Sequence, residues 1–350
     1  MNRSGVFDQL DAGGHEQVVW GADPATGLRA IVAIHSTALG PALGGTRFRA
    51  YADEDEALSD VLRLSRGMTY KAALAGLDLG GGKAVILGEP GALRSEPLLR
   101  AYGRFIHSLA GRYITAEDVG TEQADMDLLR QETPFVTGVS ELLGGSGDPS
   151  PATALGLVHA LHAVSEHQWG SPSLDGRQVL VLGAGKVGSA LVGHLVATGA
   201  KVSVADIQPA RVDAMVARHG ASAVSVEEAL TLDTDVLAPC ALGGILDATT
   251  IPHLGCRVVC GSANNQLGEP ADAARLADRG IVYAPDYVVS AGGIINIAEE
   301  LAGYDRDRAT AKLTRIRLTT AQVLADAARL GTTTVEAADR LAERRLAAAR

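Results

Sequence analysis

A chain of 350 residues with 47% hydrophobic content is long for one compact core and comfortable for two domains. Its net charge of −10 argues against nucleic acid or an anionic membrane as partner and leaves small polar molecules open. With three cysteines, no apolar leader in residues 1–11 and no run of 18 apolar residues, the chain reads as a cytoplasmic protein with neither a secretion signal nor a membrane span.

In chain order, Val18 to Trp20 and Leu28 to Ile34 read as two strands joined by a turn at Asp23-Pro24-Ala25-Thr26-Gly27, a hairpin. Gly40 to Arg47 is too glycine-rich for either regular element, so a loop is expected. A helix starts near Asp53, with Leu58, Val61, Leu62 and Ser65 three and four residues apart and Glu56 completing a capping pair. It leads into residues 67–86, where Lys71 and Lys83 stand in an otherwise apolar run with Gly80, Gly81 and Gly82 before the second lysine. Three glycines permit a tight turn and close approach to a ligand, while the strand-like Ala84 to Leu87 would hold Lys83 at the edge of a core. Two ammonium groups in a poorly solvated cleft repel, so at least one pKa should fall toward neutrality, which is how a lysine becomes a base near pH 7. Taken alone, the stretch reads equally well as a glycine-rich turn with two snorkelling lysines.

A second amphipathic helix begins near Ser95 and leads to the strand Arg112 to Thr115, with Asp118 just beyond it. Ligands gather beyond the carboxyl ends of strands in open α/β sheets, which places Asp118 to share a cleft with the lysines. The other reading of Asp118 is as the cap of a helix from Thr121 to Gln131. Ser140 to Pro151, rich in glycine and proline, is the expected linker. After a helix from Thr153 to His167 comes the strand Gln178 to Leu182, then Gly183-Ala184-Gly185-Lys186-Val187-Gly188, then a helix from Ser189 to Thr198. This is G-x-G-x-x-G between a strand and a helix, the setting in which a pyrophosphate rests on a helix N-terminus. The next strand, Lys201 to Ala205, ends at Asp206, an acceptor for an adenosine ribose. Strands at Val236 to Ala238, Arg257 to Cys260 and Ile281 to Tyr283 complete a parallel sheet. His253, Cys256 and Cys260 match no zinc spacing and read as core packing, so no metal is expected. Ser262 to Gln266 leaves a strand end with amide side chains, and two Ala- and Arg-rich helices, about Asp305 to Leu330 and Thr334 to Ala349, close the chain.

The fold class is therefore α/β in two domains. Residues 1–140 form an α/β substrate and catalytic domain and 141–330 a Rossmann-type doubly wound dinucleotide-binding domain, with a final helix at 331–350 packing back toward the first. Six separate motifs, at Gly40 to Arg47, Lys71 with Lys83, Thr115 to Thr121, Gly183 to Gly188, Ala263 to Gln266 and Tyr283 to Asn296, make the chain resemble the glutamate, leucine, phenylalanine and valine dehydrogenase family, most closely its valine and leucine members. The resemblance covers nearly the whole chain. It implies an NAD-dependent enzyme that converts a branched-chain L-amino acid to the 2-oxo acid and ammonia, and a homo-oligomer.

The resemblance implies that Lys71 binds the substrate carboxylate, that Lys83 is the general base and that Asp118 relays protons to and from the amino group. It places Asn265 at the polar head of the substrate, Thr153 near the nicotinamide, and Leu43, Gly44, Ala116, Ile294 and Ile297 around the side chain. Gly183, Ala184, Gly185, Lys186, Val187, Gly188 and Asp206 would hold NAD. One departure stands out: Ser290 occupies a position before Ala291-Gly292-Gly293 where the family usually has asparagine, and it should weaken positioning of the cofactor ring or substrate. A substrate with an aromatic side chain and a nonenzymatic amino-acid or nucleotide sensor are the alternatives. A sensor has no use for Lys83 and Asp118 together.

Overall fold

The computed structural model describes residues 5–241 and 243–349 and divides into two compact units. The first comprises residues up to Asp148, Ile297–Arg306 and residues from Ala342 onward; the second comprises Pro149–Asn296 and Asp307–Leu341.

The first unit contains α1 (Val6–Gly13), α2 (Glu54–Leu74), the short α3 (Pro90–Leu93), α4 (Glu96–Ser108) and α5 (Gln123–Arg130). Its strands are β1 (Gln17–Asp23), β2 (Leu28–Ser36), β3 (Ala42–Arg49), β4 (Gly80–Leu87) and β5 (Tyr113–Glu117), arranged β1-β2-β4-β3-β5. The pairs β1·β2 and β2·β4 are antiparallel, and β3 lies parallel between β4 and β5. Strand alternation decides what each face meets. Ile31, Ala33 and Val85 pack with Ala57, Leu58, Val61 and Leu62 of α2. Ala30, Val32, Ile34, Ala84 and Ile86 turn to the other face, against Leu98, Leu99, Tyr102 and Ile106 of α4 and Met126 and Leu129 of α5. Each fully buried leucine contributes about 1.5–3 kcal/mol to this arrangement. Lys83, two residues before Val85, is thereby delivered to the α2 face.

Two expectations need correction. Gly40 to Arg47 is not a loop: Ala42 onward is β3, a central strand. Its glycines are required by close approach, since a Cβ on Gly44 would fall on the Gly82 carbonyl oxygen and one on Gly45 would meet the Asp118 side chain at 2.9 Å. Likewise, Gly80, Gly81 and Gly82 form no turn but open β4. A Cβ on Gly81 would strike the backbone of Thr69 in α2, and one on Gly82 would lie 2.7 Å from the Tyr113 ring. The helix from Asp53 runs on through Leu74, so Lys71 belongs to its last turn. Beyond it, Arg345 donates to the Ala73 carbonyl at 2.7 Å and pairs with Asp78 at 2.9 Å, fixing the end of α2.

The α2 face also holds a histidine pair. His35 Nδ1 lies 2.9 Å from Thr69 Oγ1, His15 Nε2 lies 2.9 Å from the Leu62 carbonyl oxygen, and the rings meet edge-on with centroids 4.8 Å apart. Burial, then the nearby His15 and Arg66, push His35 down to about 4. A histidine depressed in the fold takes up its proton more readily when unfolded, so the stability it confers is complete above about pH 6.5 and is lost as pH falls toward 4. The expected loss at pH 4.5 is roughly 2–3 kcal/mol relative to pH 7.5. Denaturant unfolding of wild type and His35→Gln at both pH values checks this: the variant should lack that part of the acid sensitivity, and equal sensitivity in the two proteins would refute it.

The second unit is built on six parallel strands, β6 (Gln178–Leu182), β7 (Lys201–Ala205), β8 (Ser222–Ala223), β9 (Thr234–Pro239), β10 (Cys256–Val259) and β11 (Val282–Tyr283), ordered β11-β10-β9-β6-β7-β8. The order reverses beside β6, which makes its carboxyl end the switch point of a doubly wound Rossmann sheet. The remaining helices are α6 (Ser150–Trp169), α7 (Lys186–Ala197), α8 (Pro209–His219), α9 (Val226–Ala229), α10 (Asp272–Asp278), α11 (Asp286–Val289), α12 (Gly292–Ala298), α13 (Arg306–Leu330) and α14 (Thr334–Ala348). Among the described residues no helix is long and apolar enough to cross a membrane.

Candidate active site

In the first unit, β4 and β5 flank β3 and bring two predicted residues together. Lys83, on β4, is 6% exposed, and its Nζ lies 3.0 Å from Oδ2 of Asp118, one residue beyond β5. The same oxygen accepts a hydrogen bond from Arg47 Nε at 3.1 Å. Arg47 reaches on to Oδ2 of Asp60 in α2 at 3.0 Å, and Asp60 also accepts from Tyr51 at 3.0 Å and Arg63 at 2.8 Å. Burial alone would push the Asp118 carboxyl up, but the charges of Lys83 and Arg47 and their hydrogen bonds outweigh it and hold the group below the usual carboxylate range. The charged partner that the structure gives Lys83 is thus the Asp118 carboxylate, which the sequence placed in one cleft with the lysines. Asp118 does not cap a helix: α5 is capped by Glu122 with Asp125, and the Asp118 N–H donates to Thr121 Oγ1 at 2.9 Å.

Of the other residues expected here, Lys71 sits half-buried on the last turn of α2. Leu43 pairs with Gly81 and Ile114, Gly44 with Thr115, and Ala116 with Gly45, so Leu43, Gly44 and Ala116 lie buried in the three-strand layer beside Lys83. Tyr113 Oη donates to the Gly44 carbonyl at 2.5 Å and fixes that layer. Sequence reasoning overlooked Arg47 as a member of the site, along with Asp60 and Tyr51. A period-2 reading of residues 42–49 would have found the arginine, because Arg47 stands opposite Val85 and so faces α2.

In the second unit the glycine-rich segment runs from the end of β6 into α7, with Gly185 as N-cap, so the helix begins three residues earlier than its predicted start at Ser189. Gly183 has φ +110°, and a Cβ on Gly188 would collide with the Gly183 carbonyl, so both positions demand glycine. A Cβ on Gly185 would meet nothing within 4 Å, leaving an open cradle against the exposed N–H groups of α7. Ala184, Lys186 and Val187 supply the rest of that turn. Asp206, just past β7, accepts from the Ala184 N–H at 2.7 Å and the Gln208 N–H at 2.8 Å, with Arg211 at 3.8 Å. These features fit a dinucleotide: bare backbone and a helix N-terminus for a pyrophosphate, and an acidic side chain at the end of the next strand for a ribose.

Asn265 adopts φ +53° and is tied by its N–H to Asp286 Oδ2 at 2.6 Å. Ser290, 6% exposed, ends α11 and leads into α12, which carries Ile294 and Ile297. Thr153, on the first turn of α6, donates to the Pro149 carbonyl at 3.0 Å, and a Cβ on Gly293 would lie 3.0 Å from its Oγ1.

Residues 15–135 match the family described as Glu/Leu/Phe/Val dehydrogenase, dimerisation domain, and residues 204–350 match Glutamate/Leucine/Phenylalanine/Valine dehydrogenase. The chain is 55% identical to a valine dehydrogenase of Streptomyces virginiae, covering 99% of each chain. It is 51% identical to a leucine dehydrogenase of Geobacillus stearothermophilus, over 97% of this chain and 93% of that one. Among solved structures, the L-tryptophan dehydrogenase of Nostoc punctiforme superposes with a TM-score of 0.87 at 43% identity, covering 98% of this chain and 99% of the other.

Proposed function

The chain belongs to the glutamate, leucine, phenylalanine and valine dehydrogenase family, and from that membership we propose that it catalyses reversible NAD-dependent oxidative deamination of branched-chain L-amino acids, valine with leucine and isoleucine. The observation that carries this reading is the ion pair of Lys83 with Asp118, two groups suited to moving protons and held in one cluster. Lys71 holds the substrate carboxylate. Lys83, once neutral, takes a proton from the water that adds to the oxidised substrate, and Asp118 passes protons to and from the nitrogen that departs as ammonia. Bound NAD supplies the acceptor for the hydride leaving the substrate Cα. Gly183 to Gly188 and Asp206 would hold the dinucleotide, Thr153 and Ser290 are assigned by the family resemblance to its nicotinamide, and Asn265 would orient the substrate. The family description of the first unit as a dimerisation domain supports self-association into a homo-oligomer.

NADH formation across a panel of L-amino acids tests this reading, and no NADH with any of them would overturn it. The family resemblance assigns Ile294 and Ile297, stiff β-branched residues, to the substrate side chain, so valine, leucine and isoleucine should exceed phenylalanine in kcat/KM by about 10-fold or more. The likeness to a tryptophan dehydrogenase favours a second reading with an aromatic substrate, and higher kcat/KM for phenylalanine or tryptophan than for valine would establish it.

NAD should be preferred to NADP. Asp206 is committed by two backbone hydrogen bonds, so its carboxylate cannot swing away from a 2′-phosphate. Arg211 is half-exposed and offers partial compensation. The expected preference is about 10²-fold or more in kcat/KM, from a like-charge clash worth several kcal/mol. Equal or better use of NADP at saturating amino acid would refute it.

A further inference from the structure

The sharing of one carboxylate oxygen by two cations assigns a role to Arg47. Asp118 Oδ2 faces Lys83 Nζ at 3.0 Å and Arg47 Nε at 3.1 Å, while the far side of the guanidinium is moored on Asp60 of α2 at 3.0 Å. Arg47 and Asp60 are mostly enclosed, 16% and 13% exposed at their side chains, so the chain of charges is little screened by water. A guanidinium does not give up its proton in proteins, whereas an ammonium can.

We propose that Arg47 is a positioning residue of the site, a permanent cation that holds Asp118 in place as a carboxylate through the steps in which Lys83 gives up its proton. Were Lys83 the sole partner, its neutralisation would leave Asp118 enclosed with no countercharge, and the two would exchange a proton as a coupled pair. With Arg47 present, Asp118 stays a carboxylate in the steps in which Lys83 is neutral, and takes up a proton only in the separate step that relays one to or from the departing nitrogen. Arg47 also adds positive charge beside Lys83. Other charged or titratable groups of the surrounding elements include Asp60, Arg63, Arg66, Tyr70 and Lys71 of α2, Tyr51 before it, His35 of β2, Arg49 of β3, and Tyr113 and Glu117 at β5. Of these, Asp60 opposes the potential of Arg47.

This inference rests on the reading of Lys83 as the base, and its test separates the two. The pH profile of kcat/KM for NADH formation from L-valine should rise with pH along a limb that reports loss of the Lys83 proton. In Arg47→Gln, an amide replaces the cation; that limb should move up by about one pH unit, giving roughly a tenfold loss at pH 8 that is recovered at higher pH. Arg47→Lys, which restores a charge, should bring the limb back to within a few tenths of a unit. Asp60→Asn removes the opposing charge and should move the limb the other way, to lower pH. A role in packing alone would lower activity at every pH and leave the limb where it is. An unmoved limb in folded Arg47→Gln overturns the proposal. If that variant does not fold, Asp60→Asn decides: a downward shift supports the proposal, and an unmoved or raised limb overturns it. A different result marks failure of the underlying reading, namely Lys83→Ala with undiminished activity, and the proposal then falls with it.

Discussion

Replacement of Lys83 by alanine should lower kcat by at least about 10³-fold while NAD affinity stays within about twofold. The lysine sits at the carboxylate of Asp118 in the first unit, and the glycine-rich segment that fits a dinucleotide lies in the second. Removing the ammonium leaves Asp118 its contact with Arg47, so the fold should survive. Lys71→Ala provides the contrast: a residue that binds the carboxylate in ground state and transition state alike should raise KM more than it lowers kcat. Steady-state kinetics with a cofactor-binding titration by NADH fluorescence measures both. Wild-type kcat in folded Lys83→Ala would end the assignment of the base.

The second large effect is on stability. Gly44→Ala should cost about 3 kcal/mol or more, because the added methyl must displace the β4 main chain at Gly82, which is itself hydrogen-bonded within a buried sheet. Gly67→Ala should do the reverse. That glycine lies inside α2 with nothing within 4 Å of its would-be Cβ, so alanine gains about 0.5–1 kcal/mol of helix stability. Denaturant midpoints of the two variants decide the matter, and changes of like sign would show that close approach does not govern position 44.

These two glycines also show what the sequence could and could not disclose. Most of the Rossmann sheet was legible because its longer strands are short, largely apolar runs bounded by turn residues, whereas the exposed two-residue β8, Ser222–Ala223, carries no such signal and was not foreseen. Gln178 to Leu182 and Lys201 to Ala205 are found in the structure with the bounds expected of them. The glycine-rich β3 was not, since composition cannot distinguish a glycine that lets the backbone turn from one that lets two strands and a helix close on each other. The same ambiguity hid the start of β4. In the candidate site, residue type and position led to the Lys83 and Asp118 pair, because a lone charge in an apolar run and a carboxylate past a strand end are both conspicuous. The network behind them was less visible. Arg47, Asp60 and Tyr51 come from different elements and meet only once β3 is recognised as a strand, and His35 pairs with Thr69 across 34 positions.

A carboxylate has two oxygens, and in Asp118 the contacts from Lys83 and Arg47 converge on one of them, Oδ2. The group is therefore divided in its duties: one end is an anchorage, and Oδ1 stands outside those two contacts. A positively charged amine arriving at the site could be met by that second oxygen without either cation being released. On the mechanism proposed above, the contact of Arg47 with Asp118 would then persist through a turnover, with the substrate amine and the two basic side chains at opposite oxygens of a single carboxylate.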